Sequence, residues 1–249
     1  MSETNLLTRA YRIARILLHT LTGIVIAALI LPLVNQQQKL ALTHWWCKKL
    51  LNCFNIRVNT YGDLPPAQTR STMFVGNHIS WADIHALNSV IPLRFVAKSD
   101  IKNWPVFGYL VRASNTIFID RNSRKDAARI VNITAQSLAA GDNVCFFPEG
   151  TTTDGTHLVK FKSSIVQAAI DAKAQIWPVA IRYPHPNGGI NKNMAYAGDT
   201  TMAESMVNVL KQKNPVVELH FLAPIPALGA NRQALTEAAF KAISSQLSF

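Results

Sequence analysis

Thr72-Met73-Phe74-Val75-Gly76-Asn77-His78-Ile79-Ser80-Trp81-Ala82-Asp83 reads as a short apolar strand that breaks at a glycine and turns into a helix beginning near Asp83. An apolar run this short, closed by Gly, fits a buried strand better than one face of a surface helix. In α/β sheets the turn beyond a strand's carboxyl end is where reactive side chains collect. This turn carries His78, and Asp83 follows five residues later. A carboxylate at that separation, across a loop-to-helix turn, can meet one imidazole nitrogen and leave the other free, as a general base requires. Taken alone, His-x4-Asp is also the pattern of a surface histidine followed by a helix-capping aspartate.

Outward from this stretch the pattern repeats. Strand candidates lie at 56–60, 72–75, 94–97, 116–119, 144–147, 176–181 and 216–221, and helical candidates at 126–140, 164–172, 202–211 and 234–247. Ser123-Arg124-Lys125-Asp126 and Thr201-Met202-Ala203-Glu204 have the spacing of helix-start capping boxes. Strands alternating with helices predict an α/β fold over residues 56–249, with a mixed, largely parallel central sheet flanked by helices. Residues 184–193, rich in Pro and Gly, read as a loop.

Two further strand ends carry chemistry. Phe118-Ile119-Asp120-Arg121 offers a guanidinium fork for a phosphate, or simply a solvated arginine. Phe147-Pro148-Glu149-Gly150-Thr151-Thr152-Thr153-Asp154-Gly155 is dense in hydroxyls, glycines and backbone donors, suited to a phosphate or an oxyanion. Ile84, Leu87, Val90 and Ile91 read as core, and His85 as a helix-surface or pocket-wall residue. Cys47, Cys53 and Cys145 have no metal-ligand spacing and suggest no disulfide framework, so no metal is expected.

The N-terminal residues 1–55 differ in character. Residues 16–34 are nearly continuous in apolar side chains, roughly 28 Å of helix, close to the thickness of a hydrocarbon core. Residues 36–54 place Leu42, Trp46, Leu50 and Phe54 at four-residue steps, with Trp45 and Trp46 beside lysines, as in an interfacial helix. Together they predict a membrane-anchoring helical pair. Between Thr4 and Gly62 lie Arg9, Arg12, Arg15, Lys39, Lys48, Lys49 and Arg57 and no Asp or Glu, within a chain of net charge +11. With 49% hydrophobic residues, 16% charged and a mean hydropathy of +0.11, that charge suits an anionic lipid surface; no nucleic-acid-binding motif accompanies it.

These blocks, in this order, resemble the 1-acylglycerol-3-phosphate acyltransferase family of the glycerolipid acyltransferase superfamily. Asn77-His78-x4-Asp83 resembles the first family block, Ile117-Phe118-Ile119-Asp120-Arg121 the second and Phe147-Pro148-Glu149-Gly150-Thr151 the third. Ile176-Trp177-Pro178-Val179 looks like the fourth, and Lys98 and Lys102 with Trp104-Pro105-Val106-Phe107-Gly108 look like the segment between the first two. The resemblance implies transfer of a fatty acyl chain from acyl-CoA or acyl-carrier protein, as co-substrate and without a cofactor, to the free hydroxyl of a lysophospholipid. Lysophosphatidic acid is the leading acceptor. In that reading His78 is the general base and Asp83 orients it. Arg121, with Lys98 or Lys102, binds the acceptor phosphate, and Glu149, Gly150 and Thr151 shape the acceptor site. Membrane lipids are the expected surroundings, with the catalytic domain on the cytoplasmic face of the inner membrane, where thioester donors are made.

Two positions depart from the pattern. Thr152 stands where family members acting on lysophosphatidic acid often have arginine, which leaves another acceptor such as a lyso-ornithine lipid open. Asn115 replaces the glycine that usually begins the second block and tolerates a left-handed turn. A CoA-independent transacylase and a non-catalytic lipid-binding protein are the rival readings.

Overall fold

The computed structural model of the chain describes residues 3–120 and 124–247. Eight strands form one sheet: β1 (Arg57–Gly62), β2 (Thr72–Gly76), β3 (Arg94–Lys98), β4 (Ile117–Ile119), β5 (Val144–Phe146), β6 (Gln175–Arg182), β7 (Val216–Phe221) and β8 (Ile225–Pro226). The order is β1-β7-β6-β2-β5-β3-β4, with β8 beside β6. Pairings are parallel except where β6 meets β7 and β8. Each strand of the core reads from one face to the other with period two. Phe74 and Cys145 point into one hydrophobic cluster, and Met73, Val75, Val144 and Phe146 into the other.

Helices α2 (Gln36–Phe54), α3 (Ala82–Asn88) and α7 (Met202–Lys211) cover the first face through Leu50, Phe54, Leu87 and Val209. Helices α5 (Arg124–Ala139), α6 (Gln167–Asp171) and α8 (Arg232–Gln246) cover the second through Ile130, Leu138, Ala168, Leu235 and Ile243. Helices on both faces explain why β2 is buried throughout, with Met73, Phe74 and Val75 apolar in succession rather than alternating with polar residues. The connection leaving β2 runs through α3 to β3, and that leaving β5 runs through α6 to β6, on opposite faces. Their diverging exits open a crevice at the carboxyl ends of two adjacent strands.

The strand positions follow the sequence pattern closely, with three differences. A short helix α4 (Phe107–Ala113) and the two-residue β8 lie where no element is expected. Helix α1 (Leu6–Val25) begins ten residues before the apolar run at residue 16. Arg9, Arg12 and Arg15 break that run in hydropathy but not in helix periodicity. Arg12 turns inward and is buried, donating at the end of α7 to the carbonyls of Gln212 and Lys213 at 2.6 Å each and of Leu210 at 3.3 Å.

The helical stretch Leu6–Leu33 is long and apolar enough to cross a membrane, with a mean hydropathy of 2.3 in its most apolar window. A π turn at Ile26–Ile30 and a 3-10 turn at Leu31–Leu33 lead to Asn35, which caps α2 in a reciprocal box with Gln38. α1 and α2 meet closely at Gly23, where a Cβ atom would stand 2.5 Å from Trp46 Nε1. His19 Nε2–H donates to the Trp46 carbonyl at 2.9 Å, and Trp46 Nε1–H returns a bond to the His19 carbonyl at 3.2 Å. α1 is thus tied to the body at Arg12 and to α2 at His19 and Gly23, while Leu7, Leu17, Leu18 and Leu21 remain exposed.

Candidate active site

His78 lies just past the end of β2, and Asp83 lies in the first turn of α3. The backbone between them folds so that one carboxylate oxygen gathers three donors. Asp83 Oδ2 accepts from the Ile79 amide at 2.7 Å, the Ser80 amide at 2.9 Å and His78 Nδ1–H at 2.8 Å. The other oxygen, Oδ1, accepts from the Tyr183 hydroxyl. Asp83 is 0% exposed, whereas the His78 side chain keeps 18% of its surface. Such a buried charge is tolerable only with its acceptor positions filled. The proton on Nδ1 leaves Nε2 as the basic nitrogen, and it meets no protein partner among the described residues.

The imidazole is held from a second side by Phe147, stacked at 3.9 Å between ring centroids and 3° between planes. Its backbone is held as well. The His78 amide donates to Glu149 Oε1 at 2.7 Å, the Val159 amide donates to Glu149 Oε2 at 2.9 Å, and the His78 carbonyl accepts from the Thr153 amide at 2.9 Å. Burial raises the Glu149 carboxyl above its ordinary value, and the two amide bonds work against that rise. The sequence groups Glu149 with the residues that contact an acceptor. The structure instead points its carboxylate, 1% exposed, at two backbone amides, so it braces the His78 loop from behind. Gly150, at φ +76°, makes the turn that sends Glu149 inward, with its amide bonded to the Phe147 carbonyl at 3.1 Å. Thr151 follows on the cavity wall, and the Thr152 hydroxyl donates to the Tyr196 carbonyl.

Tyr183 and Asn77 complete the support. Asn77 exchanges two bonds with the backbone of Ile181 on β6, at 2.7 and 3.0 Å, tying the His78 loop to the neighbouring strand. Tyr183 follows that strand, and its phenol is raised well above its ordinary value by burial and then by the Asp83 charge, so it stays a donor. Nothing in the local spacing marks Tyr183; the only signal is that it, too, sits at a strand end.

His78 opens onto a cavity of about 530 Å³ between the N-terminal helices and the body. Ile16, Gly23 and Ala27 line it from α1 and its π turn, Leu42, Trp46 and Leu50 from α2, and Trp81, Phe95 and Phe147 from the body. Ile84, read from sequence as core, faces this cavity, while Leu87 and Ile91 are core. Lys98, at the end of β3, is on the cavity wall. Lys102 places its ammonium 4.7 Å from the centroid of the Phe118 ring. Arg121 lies outside the described residues. Asn115 takes the left-handed conformation, φ +62°, that its position demands. Among the described residues no group of three or more His, Cys, Asp or Glu side chains is placed to hold a metal ion.

Residues 55–182 match the protein-family model described as Acyltransferase. This chain belongs to the acyltransferase family. A Pseudomonas aeruginosa relative named lyso-ornithine lipid O-acyltransferase is 33% identical over 202 residues, covering 81% of this chain and 76% of that one. A Neisseria gonorrhoeae relative named 1-acyl-sn-glycerol-3-phosphate acyltransferase is 36% identical over 157 residues, which span 63% of this chain and 61% of that protein. The crystal structure of the 1-acyl-sn-glycerophosphate acyltransferase PlsC from Thermotoga maritima shares the fold. It has a TM-score of 0.61 and 19% identity, over 96% of this chain and 98% of that one. The acyltransferase match begins at residue 55, so α1 and all of α2 but its cap precede it, although both helices line the cavity.

Proposed function

We propose that this acyltransferase moves a fatty acyl chain from a thioester, acyl-CoA or acyl-carrier protein, to the free hydroxyl of a lysophospholipid-type acceptor, with lysophosphatidic acid the leading candidate. The observation that carries this reading is the His78–Asp83 pair set on the wall of an apolar cavity. His78 Nε2 takes the proton of the acceptor hydroxyl as its oxygen attacks the thioester carbonyl. The tetrahedral species then collapses, the C–S bond breaks, and the imidazolium returns the proton to the leaving thiolate. Asp83 fixes the tautomer and stabilises the imidazolium, as the acid does in a serine triad without the serine. General-base assistance supplies about 10²–10⁴-fold, so the remaining rate comes from positioning.

Lys98 on the cavity wall supports an anionic headgroup beside the reacting hydroxyl, and Arg121 is proposed to share that task. The apolar cavity suits a hydrocarbon chain. The exposed leucines of α1, on a helix tied to α2 at His19 and to the body at Arg12, support docking onto a bilayer surface. We place that surface on the cytoplasmic side of the inner membrane, where thioester donors are made.

A lyso-ornithine lipid is the second acceptor reading. Thr152, already bonded to the Tyr196 carbonyl, offers no cation for a phosphate, and the Pseudomonas aeruginosa relative is named for that substrate. The test uses purified protein in lipid micelles, each acceptor in turn, and donors present or omitted. Thioester-dependent acylation that His78→Ala abolishes supports the mechanism. Full activity in that variant would sink it, and transfer without any thioester would point to a transacylase.

A further inference from the structure

The α2–α3 wall of the cavity carries a polar side chain that the reaction at His78 does not use. His85 stands between the indoles of Trp46 and Trp81, each ring centroid 5.9 Å away in an edge-on arrangement. Its Nδ1 lies 3.4 Å from Cys47 Sγ. Its Nε2 has no protein partner among the described residues, and the ring lines the same cavity as His78. Among other polar groups that line the cavity, the Thr43 hydroxyl donates to the Lys39 carbonyl, and those of Ser114 and Thr116 bond each other.

Burial, and then the nearby His19, hold His85 down to about 4, while burial pushes the Cys47 thiol up to about 12. The pair is therefore neutral in the physiological range. A neutral imidazole presents either a donor or an acceptor at its open nitrogen, according to tautomer. A hydroxyl matches both, since it donates and accepts. A phosphate or carboxylate drawn in between the Trp46 and Trp81 rings would have to shed its water and would meet a neutral imidazole there.

We infer that His85 is a recognition point for a hydroxyl group carried on a substrate's hydrocarbon chain within this cavity. The inference rests on the acyl-transfer reading above and narrows its substrate class. The chain belongs either to the thioester donor or to the lysolipid acceptor; the chemistry His85 recognises is the same.

The test compares full-length wild type, His85→Leu and His85→Gln. In one arm the donor is palmitoyl-CoA or hydroxypalmitoyl-CoA with the hydroxyl at successive carbons, and lysophosphatidic acid is the acceptor. In the other, palmitoyl-CoA is constant and the lysophosphatidic acid bears a plain or a hydroxylated chain. A single neutral hydrogen bond predicts a wild-type preference in kcat/KM of about 3- to 10-fold for the hydroxylated chain. That preference should appear in one arm and at one hydroxyl position. His85→Leu should bring the ratio close to one, and His85→Gln, which keeps donor and acceptor, should retain part of it. Thermal melting of both variants separates lost recognition from lost fold; if His85→Leu does not fold, the His85→Gln ratio decides. Equal ratios in wild type and folded variants, in both arms, overturn the inference and leave acyl transfer standing. Wild type that transfers no chain from any thioester, to lysophosphatidic acid or to a lyso-ornithine lipid, overturns both.

Discussion

Tyr183 and His78 hold the same carboxylate by its two oxygens: the phenol donates to Asp83 Oδ1 while the imidazole donates to Oδ2 at 2.8 Å. Tyr183→Phe keeps the ring and removes the donor, leaving Oδ1 buried without it. The expected cost is about 1–3 kcal/mol of folding stability. A fall of roughly ten-fold in kcat, with KM little changed, should follow, because the carboxylate then loses the donor at Oδ1 and is held through Oδ2 alone. Urea unfolding and steady-state kinetics on one preparation check both.

Glu149→Gln should damage the site without touching its reactive atoms. A carboxylate accepts at both oxygens, and here each takes one amide, from His78 and from Val159. An amide side chain accepts at one end only and turns donor against donor at the other. The expected result is a loss of about 2 kcal/mol in unfolding free energy and a lower kcat.

His85 predicts a stability that depends on pH. Its folded value is about 4 against an ordinary 6.5, through burial and then His19. As pH falls below 6.5 the unfolded chain takes up the proton first. The stability associated with a neutral His85 is therefore complete above that pH and is lost toward pH 4. The loss reaches at most about 3 kcal/mol. His85→Leu should lack this part of the slope. Urea titrations of both proteins at pH 7.5, 6 and 5 test it; parallel profiles would refute it.

Arg12→Met should loosen the N-terminal helix rather than the sheet. The guanidinium meets three carbonyls, those of Leu210, Gln212 and Lys213, and methionine can meet none of them. Amide hydrogen exchange should rise across α1 while β2 and β6 stay protected. Global stability should fall by roughly 2–3 kcal/mol.

How far the sequence disclosed this arrangement depended on whether the deciding contacts were local. Helix α7 and strand β7 occupy the residues expected of them, because Thr201 with Glu204 marks the helix start and Val216–Phe221 alternates between buried and half-buried positions. Asn115 is readable too, since the residue type itself announces a left-handed turn. The His78–Asp83 bond spans five residues and could be anticipated. Tyr183 could not, because it reaches Asp83 from 100 positions away through strand pairing that no local pattern encodes. Glu149 was visible as a residue, but which way its carboxylate faced depended on the Gly150 turn and on Val159. Arg12 misled for the opposite reason: a charge in an apolar run signals a boundary until a set of carbonyls is there to receive it.

The cavity's walls come from both sides of residue 55, where the family match begins. His78 and Asp83 thus lie wholly within the matched segment, whereas the apolar wall they face is shared between that segment and the two helices before it. Changes at Ile16, Gly23, Leu42 or Trp46 can reshape the chain's berth while His78, Asp83 and Glu149 stay untouched. Conversely, a view of the cavity drawn only from the matched segment would miss the part of its wall that α1 and α2 supply.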